Sequence, residues 1–536
     1  RFNWQKSVGM LQVQGDAFIL RNQLNDQFAN WKRLNADIFL QNNFVKPGYA
    51  FQLDKNQLSQ AESDSVSFTS MNFEQHQFYL QSGDSLHGTF RLDYSLRRDF
   101  LPAEGLLRAS DLARTLRATA DLKMLRNQHI QLQLAYRTLD FLNDSLFTSQ
   151  RPALEQMQSN TLLGQLHWNT TMANGAIRSD LQYNLGNGRE PRREFVYVRV
   201  PVGEGAYTWR DDNNNGIEEI EEFYEARYFD EKNYVRVFVP GHDFILAYTN
   251  SLNYQLKIQP LTSWLDKQGI RSILGRFSSI TSWDISKRIT DQGLAERTLP
   301  FVKVQDDQLL SVRENLRSTL FFNRRQTAFG ADLGMRRIHR RQLLNRGFEE
   351  RRRAAYLLNL RWNLNRHWGV RWKAESGQEI QLLDMHAQAA NQGRRDFRIH
   401  YYQILPELSW QPSMNTRIAT HYNFVNRQNL GHAASEANAE KAIQHIIGLE
   451  LRASKMMRHN LQAHLEYVSI KYNGEENAAI AYEMLDGLRN GSNLRWSVNW
   501  QQHLLDGLQL AINYFGRKSE QSSAVHSGSI MLRALL

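Results

Sequence analysis

The sharpest chemistry in this sequence lies in twelve consecutive residues, Asp211-Asp212-Asn213-Asn214-Asn215-Gly216-Ile217-Glu218-Glu219-Ile220-Glu221-Glu222. Calcium takes hard oxygen ligands, a closing bidentate carboxylate, and a glycine where the ligand loop turns sharply. Positions 1, 3, 5, 7, 9 and 12 of such a loop are Asp211, Asn213, Asn215, the Ile217 carbonyl, Glu219 and Glu222, and Gly216 stands sixth. Position 8, apolar in helix-flanked loops, is Glu218, and Ile217 comes one residue early. The spacing predicts a calcium element without flanking helices. Residues 211–231 carry nine acids against the single Arg227, a density that repels itself unless a cation intervenes.

A second charged set is basic: Arg336, Arg337, Arg340, Arg341, Arg346, Arg351, Arg352 and Arg353. Planar guanidinium groups suit bidentate recognition of phosphate. Catalytic arrangements are missing. The chain has no Cys, which excludes a thiol nucleophile, a zinc-thiolate site and a disulfide framework. His76, His167, His421 and His464 are read as lone inward histidines, outside any metal-binding spacing. No nucleophile elbow, phosphate loop or dinucleotide fingerprint occurs, so an enzyme is not expected.

The elements that must hold these residues are set by a period of two. Phe90, Leu92, Tyr94 and Leu96 alternate with Arg91, Asp93, Ser95 and Arg97; Tyr356, Leu358, Leu360 and Trp362 alternate with Leu357, Asn359 and Arg361; Leu494, Trp496, Val498 and Trp500 alternate with Arg495, Ser497 and Asn499. A helix has a period of 3.6 and cannot gather such sets on one side. The runs extend over about 10 to 15 residues, where globular strands average roughly 5 or 6 and a tilted strand crossing a bilayer needs about 9 to 11. Connections alternate in length. Residues 143–159, 340–351, 382–395, 427–440, 473–490 and 517–526 read as long loops, and 324–327, 366–367, 412–415, 455–458 and 504–507 as tight turns. Short turns at one end and long loops at the other are the pattern of an outer-membrane barrel.

The expectation is therefore all-β: a single closed antiparallel transmembrane barrel of about 22 strands over residues 1–536, with an extracellular insert at 188–243 that carries the calcium loop. Arg91, Asp93, Arg137, Arg178, Asp180, Arg361, Glu466 and Arg495 are expected to line the lumen, where charged walls set selectivity or dock a plug. Trp168, Trp362, Trp410, Trp496, Trp500 and Tyr514 are expected at the membrane interfaces. Arg336, Arg337, Arg340, Arg341, Arg351, Arg352 and Arg353 are expected on the outer rim, against lipopolysaccharide phosphates. The net charge of +10 is spread along the chain, which fits anionic lipid better than nucleic acid. Mean hydropathy is −0.57 and no window holds 18 apolar residues, so no transmembrane helix is expected, while an alternating barrel strand escapes that criterion.

Gly528, Ile530, Leu532, Ala534 and Leu536 share one parity of the last run. This resembles the C-terminal assembly signal of outer-membrane proteins, with Leu536 where that family usually ends in an aromatic residue. The whole chain resembles the barrel portion of long outer-membrane proteins of the Gram-negative, Bacteroidota type, most closely at Gly203-Glu204-Gly205-Ala206-Tyr207-Thr208-Trp209-Arg210 and residues 234–240. The resemblance implies fold and compartment. A channel, transporter or translocon component is the first functional expectation, and a membrane-anchored surface or adhesive protein the second. A lumen of about 22 strands needs filling, so an upstream domain or partner protein is expected, and an N-terminal part is expected to precede Arg1.

Overall fold

The computed structural model describes the chain except residues 25–26, 43, 61–64, 83–87, 125–126, 148–159, 212–214, 262–263, 265–267, 291–292, 306–307, 345–346, 386–395, 432–438, 456–458, 477, 506–507, 521 and 535–536. Among the described residues, twenty-three strands of seven or more residues and two of three residues make up an antiparallel architecture, against the expected count of about 22. Helices are confined to short turns in the connections. Two compact units are present: Arg1–Glu190 with Phe244–Gln255 and Ser286–Gln308, and Pro191–Asp243 with Leu256–Ile285 and Leu309–Leu536.

In the first unit, the strands from Phe2–Val8 to Thr161–Met172 pair each with the next and the last pairs with Ile177–Arg199. In the second unit, eleven strands do the same: Leu309–Phe322, Phe329–Leu344, Gly347–Asn363, Trp368–Met385, Phe397–Ser413, Thr416–Asn429, Glu440–Lys455, His459–Tyr472, Gly491–Leu505, Leu508–Ser519 and Val525–Ala534. Because side chains alternate across a strand, a ladder in constant register sorts whole rows onto one face.

The second unit displays the sorting clearly. One row runs Phe329, Trp362, Val370, Leu408, Thr420, Leu449, Leu465, Trp496 and Gly516. A row of opposite parity runs Arg371, Glu407, His421, Gly448, Glu466, Arg495 and Arg517. The apolar face is left open: Tyr356 is 65% exposed, Ile447 57%, Trp362 56% and Ile530 75%. Trp496 lies over Gly516, where any Cβ would occupy the indole's place, so the glycine lets a large aromatic ring lie flat along the sheet.

The polar face carries a buried apolar cluster. Phe397, Ile399, Ala442, Ile446, Val468, Ile470 and Tyr472 sit at polar-face parity near the strand ends, and Ala481, Met484, Leu485 and Leu488 cover them. The connection read as loop 473–490 is thus a folded cap, with a helix over Ala479–Met484. Burying this patch is the reason that it packs onto the sheet.

Two expected loops are corrected. The 340–351 loop is instead the end of a hairpin: Arg340 pairs with Arg351, and Phe329–Leu344 and Gly347–Asn363 continue to Leu344 opposite Gly347. Its residues alternate in facing direction like any strand, and a high arginine content had disguised that period. Likewise Arg517 pairs with Val525 and Gly516 with His526, so the loop at 517–526 is shorter than expected. The centres of 143–159, 382–395 and 427–440 lie outside the described residues.

Candidate functional site

Strands Ile177–Arg199 and Tyr234–Ile258 pair with each other and carry the insert between them. Within it Tyr207–Trp209 and Phe223–Glu225 form a small antiparallel ladder, with Tyr207 also paired to Tyr234. Rings hold it together: Tyr197 stacks on Phe223 at 4.0 Å between centroids, and Phe223 meets Tyr234 edge-on at 4.9 Å. Gly203 has φ +93°, and a Cβ there would enter the Phe229 ring, so only glycine allows that approach.

The insert is fastened by charge. Arg227 donates to Glu483 at 2.6 Å and pairs with Asp486. Arg427 reaches Asp486 at 2.8 Å and donates to the carbonyls of Glu483 and Met484 at 3.1 and 3.0 Å. Tyr228 donates to the Asp486 carbonyl and Tyr482 to Glu231, both at 2.8 Å. Arg517 meets Asp230 and Glu231 at 2.8 Å each. Arg351 bridges Glu225 at 2.9 Å and Glu379 at 2.8 Å, and Arg236 meets Glu349 at 3.3 Å. Burial pushes the Asp486 carboxyl upward, but the guanidinium groups of Arg427 and Arg227 outweigh it and hold the group below its ordinary range. Burial and Glu231 push the Tyr482 hydroxyl up.

This corrects one inference from composition. The acids at Glu225, Asp230 and Glu231 are neutralised by guanidinium groups from distant strands and need no bound cation. Sequence reading missed Arg227, Arg427, Asp486 and Arg517 as a set because the partners are far apart in the chain. The available signal was Val468, Ile470 and Tyr472, apolar residues at the parity where polar ones were expected.

The calcium-loop residues divide. Asp211 accepts from the backbone N–H groups of Asn215 at 3.1 Å and Gly216 at 2.8 Å, Asn215 accepts from Ile217 N–H at 2.7 Å, and Gly216 has φ +71°. Glu219 approaches Asn215, whose amide donates to it at 3.4 Å. Glu222 is buried and accepts from the Trp209 indole at 2.8 Å. Asn213 lies outside the described residues. No cluster of three or more His, Asp or Glu ligands occurs among the described residues.

The eight residues expected in a lumen all stand at polar-face parity in their own units. Asp93 pairs with Arg91 at 2.7 Å, and Arg91, Arg137, Arg178 and Asp180 share rows with Thr119, Thr115, Thr171 and Asn169. Glu466 meets Arg495 at 2.6 Å and His421 at 3.3 Å, while Arg361 sits opposite Gly330. His167, His421 and His464 keep polar parity, but His76 stands among Tyr49, Phe78 and Leu96 and accepts or donates at 2.7 Å with the Tyr49 hydroxyl, so it belongs to the apolar face. The six aromatic residues expected at interfaces have apolar-face parity. Gly528, Ile530, Leu532 and Ala534 share that parity, and Leu536 lies outside the described residues.

The seven-arginine set splits by face. Arg336, Arg340, Arg351 and Arg353 have polar parity, and Arg336 and Arg353 approach Glu375 at 3.3 and 3.6 Å. Arg337, Arg341 and Arg352 have apolar-face parity. The expectation of one rim cluster fails because neighbouring residues of a strand point to opposite sides.

Beside the docked insert, a cavity of about 370 Å³ is lined by Tyr228, Phe229, Asp230, His464, Glu466, Arg495 and Arg517 among others. Glu466 pairs there with Arg495 and Asp230 with Arg517, so it presents paired charges together with rings, and Lys232 lines it as well. A second cavity, of about 520 Å³ in the first unit, is lined by Gln14, Asn35, Gln52, Gln75 and Gln77 together with Asp37, Tyr79 and Arg91.

No known family matches the sequence, and no curated protein matches it. Among solved structures, the chain is similar to the siderophore receptor PirA from Pseudomonas aeruginosa (8% identity, 99% of this chain and 81% of that one, TM-score 0.33). It is also similar to the copper transporter OprC (9%, 96% and 75%, 0.34) and the FrpB iron transporter from Neisseria meningitidis (8%, 96% and 77%, 0.33). Scores this far below one half do not establish a shared fold.

Proposed function

We propose that this chain is a transmembrane β-barrel of a Gram-negative outer membrane, of the Bacteroidota type, acting as a channel, transporter or translocon component. The observation that carries the reading is the open apolar face of the second unit, rich in Tyr and Trp, backed strand by strand by a charged face. Monomeric soluble proteins rarely expose contiguous apolar patches above a few hundred Å², whereas acyl chains match such a face. Closure of the strands into one barrel of about 22, with the charged face enclosed, is part of the proposal.

In this reading the insert at 188–243 belongs to the extracellular end and fills part of the lumen from within the chain, fastened by Arg227, Arg427 and Arg517. An upstream domain or partner protein fills the remainder. The hydrogen bonds from the Asn215 and Gly216 N–H groups to Asp211 curl the loop around that carboxylate and support calcium at Asp211, Asn213, Asn215, Ile217, Glu219 and Glu222 as a stabiliser of the insert's exposed edge.

The test is conductance in a planar bilayer of the whole chain purified in detergent, compared with a variant lacking residues 200–233. The reading expects insertion by both proteins and larger unitary conductance after the deletion. A chain that stays in aqueous buffer without detergent contradicts it.

A further inference from the structure

The upper margin of the apolar face carries a belt of cations that the insert and the polar face do not use. Register places Arg337, Ala354, Gln378, His400, Gln428 and Lys441 in one row across six adjacent strands. The next row toward the long-loop end holds His339, Arg352, Ile380 and Arg398. Lys471 ends the row of Met335, Tyr356, Ser376, Tyr402, Asn426 and Ile443. Lys518 ends the row of Tyr422, Ile447, Tyr467 and Leu494.

From the strand Gly347–Asn363 onward the cations step down the register, from Arg352 and Arg398 through Lys441 to Lys471 and Lys518, while Arg337 on the preceding strand lies one row below Arg352. The tyrosines and tryptophan beneath them step the same way, from Tyr356 and Tyr402 to Tyr422 and Tyr467, then Trp496 and Tyr514. A boundary that is level in space but crosses tilted strands must drift through their register in this manner. The charge edge and the aromatic edge therefore follow one plane.

Arg337, Arg398, Lys441, Lys471 and Lys518 are exposed, and none has a carboxylate partner among the described residues. Among the described carboxylates of the same zone, Glu314 accepts from the Trp283 indole, Glu350 is held by His339, Arg341 and Arg352, Glu520 accepts from the Ser492 N–H at 3.2 Å, and Asp396 stands two residues before Arg398. The belt thus keeps an unmatched positive charge directly above an apolar surface. Its row from Arg337 to Lys441 spans roughly 24 Å at the usual strand spacing, too wide for one small anion and suited to a series of headgroups.

We infer that this belt binds the phosphate groups of lipopolysaccharide whose acyl chains lie against the apolar face beneath. Of the arginines first assigned to such contacts, Arg337 takes part with its charge unmatched, joined by Arg398, Lys441, Lys471 and Lys518. The inference rests on the membrane reading and deepens it.

The test uses the whole chain in nanodiscs of phosphatidylcholine, offered bisphosphorylated lipid A or its dephosphorylated form, with bound lipid counted by native mass spectrometry. The variant combines Arg337→Gln, Arg398→Gln, Lys441→Gln, Lys471→Gln and Lys518→Gln. The wild-type protein should retain the phosphorylated form preferentially, and the variant roughly tenfold less of it. Millimolar inorganic phosphate should not displace the lipid. Equal retention of both lipid A forms by an inserted wild-type chain, undiminished retention by an inserted variant, or displacement by free phosphate overturns the belt. Failure of the wild-type chain to enter nanodiscs sinks the membrane reading instead. A single Arg340→Gln change, at polar parity, controls for unspecific loss of charge and should leave retention unchanged.

Discussion

Arg227 and Asp486 stand 259 residues apart in sequence and form one ion pair, with Arg427 on the other side of the same carboxylate. Removing that carboxylate leaves two guanidinium groups facing each other. Asp486→Asn should therefore loosen the docked insert by roughly 2 kcal/mol, the scale of a charged hydrogen bond. Hydrogen exchange should quicken at residues 220–233 and remain slow in strands such as Glu440–Lys455. Unchanged exchange in the insert contradicts the latch.

The same pair gives a pH dependence. Asp486 has its folded-state pKa below the ordinary 3.8 because of Arg427 and Arg227. The stabilisation is then complete above 3.8 and fades as pH falls through the lower folded value. Protection of the insert should hold at pH 5 and decline below roughly pH 4. In Asp486→Asn this acid-dependent component should be absent. An identical acid profile in the variant removes Asp486 as its source.

Calcium has an internal reporter. The Trp209 indole donates to Glu222 at 2.8 Å, and Glu222 is the closing position of the calcium spacing. Binding should shift tryptophan emission and give heat in calorimetry, and Asp211→Ala should abolish both. No response up to roughly 10 mM calcium, beyond the weakest extracellular modules, removes the metal from the account.

Adjacent residues on one strand should respond oppositely to charge. Leu358 stands on the open apolar face and is 40% exposed, while Asn359 has polar parity. Leu358→Arg should cost about 2–4 kcal/mol at mid-membrane depth and reduce assembly in the membrane. Asn359→Arg should assemble normally. Folding yield into lipid vesicles, read by protease resistance, separates the two.

The strands and their facing were legible in the sequence because alternation is local: Leu494, Trp496 and Val498 against Arg495 and Ser497 need no knowledge of neighbours. The charge economy was not. Nine acids at 211–231 resembled a metal site, since Arg351, Arg427 and Arg517, which meet this region or its cap, come from strands far along the chain. The arginine hairpin hid its period because both parities carried the same residue type, and only the register separates them: Arg337 lies opposite Ala354, at the parity of Tyr356 and Leu358, and Arg336 opposite Ala355, at the parity of Arg361. The cap over Ala479–Met484 had a faint trace in Val468, Ile470 and Tyr472, apolar residues where polar parity was expected.

The central claim is that the apolar face meets acyl chains and the charged face meets water. The chain has no cysteine, so each single-cysteine variant carries one spin label at one site. Labels at Leu358, Asn359, Leu360 and Arg361 in lipid bilayers should alternate: Leu358 and Leu360 relaxed chiefly by lipid-soluble oxygen, Asn359 and Arg361 by a water-soluble nickel chelate. Equal access of the chelate to all four positions would contradict the account.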